Sequence, residues 1–274
     1  MDSIVAIDWL VNYLDHPNVV IIDCRFQLSD PSWGRKQYEA SHLPNAYYLD
    51  LNEDLSSPVQ KHGGRHPLPD PETLATKLAK MGIHFSQTQV VAYDDSRCAF
   101  AARLWWLLRY LGHDQVAVLN GGWKAWQNAG YPTSSEIPSA KTGHFIPQVR
   151  QDWVVNREEV KARQKAPNTV IIDSRDADRY RGEREPIDPV AGHIEGAVNF
   201  PWKTVTDEQG NVYSPREQRQ RWLEGETAID ENQEKIVYCG SGVTACVNLL
   251  SLHLAQLDRG KLYAGSWSDW CSYL

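Results

Sequence analysis

Several kinds of segment are missing from this sequence of 274 residues. No apolar run approaches the roughly 18 residues that a membrane-spanning helix needs. The first twenty residues hold three Asp and neither Lys nor Arg, so neither a secretory signal nor a mitochondrial presequence is expected. Long basic runs are absent and the formal net charge is −7, which argues against nucleic acid or an anionic membrane surface as a partner. The five cysteines, at 24, 98, 239, 246 and 271, include no C-x-x-C pair. An odd count without such a pair fits neither a disulfide framework nor a zinc site, and suits a reducing compartment such as the cytoplasm. A cysteine that matters here is expected to act singly, as a nucleophile. What remains, 42% apolar and 23% charged, is ordinary globular usage, with length for one or two domains.

The chain repeats itself once, at an offset of about 150 residues. VVIIDCR at 19–25 returns as TVIIDSR at 169–175, and the HLPNA segment at 42–46 returns as HIEGA at 193–197. QVVAYD at 89–94 returns as EKIVYC at 234–239, and GGWKAW at 121–126 as GSWSDW at 265–270. Four pairs in the same order predict two copies of one domain, 1–137 and 153–274, joined by a Pro/Gly-bearing linker at 138–152. Continuous Val/Ile runs at 18–23 and 169–173, and short apolar runs at 90–93, 116–119, 236–238 and 261–263, read as buried parallel strands. Between them, 72–81, 99–111, 157–164, 216–223 and 245–257 read as helices. Strand alternating with helix predicts an α/β fold, each domain a mostly parallel sheet flanked by helices. Chemistry in such sheets sits beyond the carboxyl ends of the strands.

At one such end stands Cys239, under the loop Gly240-Ser241-Gly242-Val243-Thr244 and before a helix. The glycines let the backbone curl so that N–H groups converge on an anion, and the helix dipole adds positive character. Such a setting favours a thiolate nucleophile and could hold the persulfide it becomes. A buried structural cysteine is the bland alternative. The first half serves as a control: its matching slot is Asp94, no sulfur nucleophile, so one catalytic centre per chain is expected. A cysteine phosphatase would need Arg six residues after the Cys, where Ala245 stands, and a Cys–His hydrolase would need a distant His as base.

The chain resembles the tandem-domain rhodanese-type sulfurtransferases. The likeness spans nearly its whole length: the two Asp-x-Arg strand ends, both His-(Leu/Ile)-x-x-Ala segments, Arg65-His66-Pro67-Leu68-Pro69, the Cys239 loop and the two Trp-bearing closing elements. The loop Cys-Gly-Ser-Gly-Val-Thr-Ala is most similar to the 3-mercaptopyruvate form. The thiosulfate form has a basic Arg-Lys pair where this chain has Gly240-Ser241. The resemblance implies two tandem rhodanese-like domains, the first non-catalytic and the second catalytic. It implies sulfur transfer from 3-mercaptopyruvate through a Cys239 persulfide to cyanide, a thiol or thioredoxin, with no metal or organic cofactor. Thiosulfate as donor, or a non-catalytic binding module of the same fold, are the alternatives.

It also implies site residues. Arg179, before an aromatic residue, matches a substrate-binding arginine of the family. A second arginine often follows Glu-Pro, but here Ile187 follows Pro186, and Arg184, or Arg181, is the expected substitute. Gly240, Gly242, Val243 and Thr244 would hold the bound sulfur by their amides. His42, Ser241 and an acid such as Asp30 are candidates for a proton relay to the enolate leaving group. His42 and His193 occupy matching places in the two halves, which favours an architectural role, as it does for the matching Arg25 and Arg175. Cys246 and the eleven tryptophans read as core.

Overall fold

The computed structural model describes residues 2–258 and 260–274. They divide into two compact units. Unit 1 comprises Met1–Ser57, Leu68–Arg150 and Glu208–Val212; unit 2 comprises Pro58–Pro67, Gln151–Asp207 and Tyr213–Leu274.

Unit 1 carries β1 (Ile4–Val5), β2 (Val19–Asp23), β3 (Tyr47–Tyr48), β4 (Gln89–Tyr93) and β5 (Val116–Leu119). They form one sheet in the order β1-β5-β4-β2-β3, with every pairing parallel. Unit 2 carries β6 (Thr169–Asp173), β7 (Val198–Asn199), β8 (Glu234–Tyr238) and β9 (Gly260–Leu262), in the parallel order β7-β6-β8-β9. Both central pairs run in register over five residues, Ile21 opposite Val91 and Ile171 opposite Ile236. These are the continuous apolar runs of the sequence, and helices cover them on both faces. The helices start where local chemistry starts them. Asp70 caps Pro71–Lys80, and Asn156 and Ser214 form capping boxes for Arg157–Arg163 and Pro215–Leu223.

Each central strand ends in the same device. Asp23 takes the Arg25 guanidinium on both oxygens, and Asp173 takes Arg175 likewise, all four side chains buried. Each arginine lies over a tryptophan of the closing element, Arg25 on Trp123 at 4.2 Å and Arg175 on Trp267 at 4.8 Å. The repeat of the sequence is thus a repeat of one three-element lock.

The structure departs from the sequence reading in three ways. The stretch 138–152 does not hang between domains, because most of it belongs to unit 1. Its amides at Lys141, Gly143, Gln148 and Arg150 donate to carbonyls of Lys80, Ala79, Leu111 and Tyr110, and Phe145 is buried against Phe85. Backbone pairing of this kind leaves no mark on composition. Second, the ten residues Pro58–Pro67, read as part of the first half, belong to unit 2. Third, the helix expected to reach 257 ends at Leu254, with Gln256 in the left-handed region (φ 57°).

Candidate active site

In unit 2, β8 delivers Cys239 to the sheet's carboxyl edge, 2% exposed, and the helix Ala245–Leu254 follows the loop. The closing element fixes the cysteine's backbone. Ser266 Oγ accepts the Cys239 N–H (3.1 Å), and the N–H groups of Trp267 and Ser268 donate to the carbonyls of Cys239 and Gly240 (both 3.0 Å). Ser266 holds a left-handed φ of 56° to do this. Gly242 lies at φ 76°, and a methyl group built on it would sit 2.4 Å from the Ala264 carbonyl oxygen, so only glycine fits. Gly240 is glycine for another reason. A methyl group there would lie 3.0 Å from Arg65 Nη2 and 3.5 Å from Arg179 Nη1.

The first half shows what this loop geometry can hold. There the Asp94 carboxylate accepts the N–H groups of Ser96, Cys98, Phe100 and Ala101 at 2.8–3.0 Å. Phe100 caps the following helix and Ala101 is its first residue, the places taken in unit 2 by Thr244 and Ala245. Among the described residues, no protein acceptor meets the N–H groups of Val243, Thr244 or Ala245. One half of the chain therefore fills its anion nest with its own carboxylate, and the other offers the nest beneath a thiol.

Around the loop, the segment 63–66 docks onto the closing element. Gly63 N–H donates to the Asp269 carboxylate at 2.7 Å and Arg65 N–H to Ser268 Oγ at 3.2 Å. The next residue, His66, is buried, and its Nδ1 lies 2.7 Å from Ser241 Oγ. Arg65 Nη1 pairs with Asp188 Oδ1. Arg179 donates through Nε and Nη2 to Glu185 (3.2 and 2.7 Å) and through Nη2 to Asp188 Oδ2 (3.3 Å). The two carboxyls respond differently. Burial pushes Asp188 above the ordinary carboxylate range, with Arg65 and Arg179 opposing and Glu185 adding to it. Burial works the same way on Glu185, but hydrogen bonds from Arg179 and from the Asp188 and Ile187 amides outweigh it, and Glu185 sits below that range.

The structure brings together Cys239, Gly240, Ser241, Gly242, Val243, Thr244 and Arg179. His42 and Asp30 belong to unit 1. His42 is fully buried in unit 1, stacked on Tyr38, with Nδ1 donating to the Tyr38 carbonyl (2.6 Å) and Nε2 3.1 Å from the Glu136 carbonyl. His193 repeats that stack on Tyr180 in unit 2, so both histidines are architectural. Asp30 is exposed and bound to Ser32. Arg184 and Arg181 are about half exposed and paired with Asp178 and Glu183, turned to their own loop rather than to Cys239. The residues that sequence reasoning missed are Arg65, His66, Glu185, Asp188 and Ser266. Arg65 and His66 were visible only as part of the segment Arg65-His66-Pro67-Leu68-Pro69.

A family model described as "Rhodanese-like domain" matches residues 6–129 and again 156–273. A protein of Pseudomonas aeruginosa named "Probable 3-mercaptopyruvate sulfurtransferase" is 44% identical over 262 residues, 94% of this chain and 90% of its own length. The thiosulfate sulfurtransferase of Rattus norvegicus is 30% identical, covering 98% of this chain and 91% of its own. The crystal structure of SseA from Escherichia coli, described as a 3-mercaptopyruvate sulfotransferase, superposes with a TM-score of 0.84 at 30% identity, over 98% of this chain and 100% of that one.

Proposed function

The chain belongs to the rhodanese-like family, and on that premise we propose that it is a 3-mercaptopyruvate sulfurtransferase working through a persulfide on Cys239. The observation that carries this reading is the pairing of a lone thiol with the unfilled amide nest of Val243–Ala245, where the silent half holds a carboxylate. The homologues' names support the choice of donor.

In the proposed reaction the Cys239 thiolate attacks the thiol sulfur of the donor. An S–S bond forms and the C–S bond breaks, its electron pair leaving on carbon as the enolate of pyruvate. The proton of the donor's thiol ends on that carbon, so pyruvate departs and the enzyme keeps a persulfide anion. The amides of the loop and the helix N-terminus stabilise that anion. Ser241, hydrogen-bonded to His66, is the path for the proton. A thiophilic acceptor, a small thiol, cyanide or a thioredoxin dithiol, then removes the outer sulfur and restores the thiolate. The five cysteines, none in a disulfide among the described residues, suit a reducing compartment such as the cytoplasm. Among the described residues, no helix is long and apolar enough to cross a membrane.

Intact-mass spectrometry tests the reading. Treated with 3-mercaptopyruvate, the wild type gains about 32 Da, one sulfur atom, reversed by cyanide or a thiol. The Cys239→Ser variant gains nothing. An adduct that persists in that variant, or none on wild type, defeats the persulfide. Thiosulfate is the second reading, favoured by the guanidinium groups over Gly240, and a higher kcat/KM for it would replace mercaptopyruvate as donor.

A further inference from the structure

Arg179 supplies one fork donor beside the loop. The second arginine that mercaptopyruvate-type relatives often carry after Glu-Pro is absent, since Ile187 stands there, half exposed. We propose that Arg65 takes that place, so that Arg65 and Arg179 together grip the donor's carboxylate above Gly240. This inference rests on the mercaptopyruvate reading and names the residue that recognises the donor's anionic end.

The two guanidinium groups already converge on one point. The nitrogens nearest a methyl group built on Gly240 are Arg65 Nη2 at 3.0 Å and Arg179 Nη1 at 3.5 Å. Among the described residues neither nitrogen has a protein acceptor: Arg65 spends Nη1 on Asp188, and Arg179 spends Nε and Nη2 on Glu185 and Asp188. Two N–H faces, one from each arginine, are thus left aimed at the space over the residue that follows Cys239. Both side chains retain access to solvent, 30% for Arg65 and 13% for Arg179.

The pair also fits a carboxylate in shape. Asp188 bridges the two arginines, with Oδ1 on Arg65 and Oδ2 on Arg179. The spacing therefore matches the two oxygens of one carboxyl group, and a donor carboxylate on the Gly240 side would repeat that bridge with the remaining nitrogens.

Arg65 is placed rather than loosely tethered. Gly63 and Arg65 are hydrogen-bonded to Asp269 and Ser268, and a methyl group on Gly64 would lie 2.4 Å from the Gly265 carbonyl oxygen. Its neighbour His66 is bound to Ser241. The same short segment thus brings a cation to Gly240 and an imidazole to Ser241. Gly240 lies outside the positive-φ region, so its lack of a side chain serves space rather than backbone conformation.

Steady-state kinetics with two donors test this. 3-Mercaptopyruvate is compared with 1-mercapto-2-propanone, which keeps the thiol and ketone and has a methyl group for the carboxylate. Arg65→Gln is expected to lower kcat/KM for mercaptopyruvate about 10²-fold, mostly through KM, and to leave the carboxylate-free donor within about twofold. Arg65→Lys restores part of the loss, because charge returns without the fork. In parallel, the inhibition constant of pyruvate rises in Arg65→Gln. Equal losses on both donors, no loss on either, or an unchanged pyruvate inhibition constant overturns the proposal. If the wild type takes sulfur from neither donor, the mercaptopyruvate reading itself falls, and this inference with it. Persulfide formation from the carboxylate-free donor in Arg65→Gln reports that the loop is still folded.

Discussion

At the scale of single residues, the chemistry divides between a nucleophile and a proton path. In the proposed reaction, attack on sulfur needs only the Cys239 thiolate, but mercaptopyruvate leaves as an enolate that must be protonated, whereas thiosulfate leaves as sulfite, which need not be. His66 and Ser241, 2.7 Å apart, therefore matter for one donor and not for the other. His66→Ala is expected to lower kcat for mercaptopyruvate about 10²-fold while thiosulfate turnover falls by less than about threefold. Ser241→Ala should behave likewise, and the double variant should lose little more than either single one, since the two act as a unit. Stopped assays of pyruvate and of thiocyanate check this. Equal losses on both donors would give His66 a merely structural role. Sequence reasoning reached Ser241, and chose His42 because the family resemblance implies a first-domain histidine in the relay. The histidine beside Ser241 in the structure is His66, which sits in a segment with no regular pattern and gains its place by the docking of Gly63 and Arg65 on the closing element.

At the scale of elements, the loop between β8 and its helix is a shape first and a set of side chains second. The first half wraps Asp94 with Arg97 and Cys98 both at positive φ, 57° and 60°, and the second half turns with Gly242 at 76°. Gly242→Ala must move the Ala264 carbonyl, 2.4 Å from the new methyl group, or distort the nest. The expected result is a loss of about 2–4 kcal/mol in urea denaturation, with persulfide formation slowed more than stability alone explains. A variant as stable and as active as wild type would mean that the turn is dispensable. The glycines and the thiol were legible in the sequence because their chemistry is local. The depth of the nest and the two cations above it were not, because Arg65 and Arg179 lie more than a hundred residues apart in the chain.

At the scale of the whole molecule, the units do not coincide with the two halves of the repeat. Pro58–Pro67 belongs to unit 2 and Glu208–Val212 to unit 1, so each unit includes a segment from the other half of the sequence. The end of unit 1 is secured by Arg150, whose guanidinium bonds both oxygens of Asp114 at 2.8 and 2.6 Å. Hydrogen bonds from Arg150, with help from Arg109, hold the Asp114 carboxyl below its ordinary range. A depressed carboxyl contributes stability that is present above its unfolded value and lost as pH falls through the folded one. At pH 7, Asp114→Asn is therefore expected to reduce hydrogen-exchange protection at the Gln148 and Arg150 amides, which donate to Leu111 and Tyr110. The difference from wild type should close as the pH is taken below roughly 4. A difference that stays constant with pH would locate the attachment elsewhere, for instance in buried Phe145.

Much was determined by the sequence alone, and for a common physical reason. Buried parallel strands need continuous apolar runs, so β2, β4, β5, β6 and β8 are written locally, and the duplication doubles every signal. The proposed nucleophile is written locally too, since a thiol, two glycines and a helix start lie together in one short stretch. Short strands such as β1, β3 and β7 take only two residues each and carry no periodicity to read. The tertiary structure alone decided which histidine meets Ser241, which cation stands over Gly240, and where one unit ends. Those depend on hydrogen bonds between main-chain groups and on distant segments brought side by side. Residue type does not encode such contacts until the chain has closed on itself.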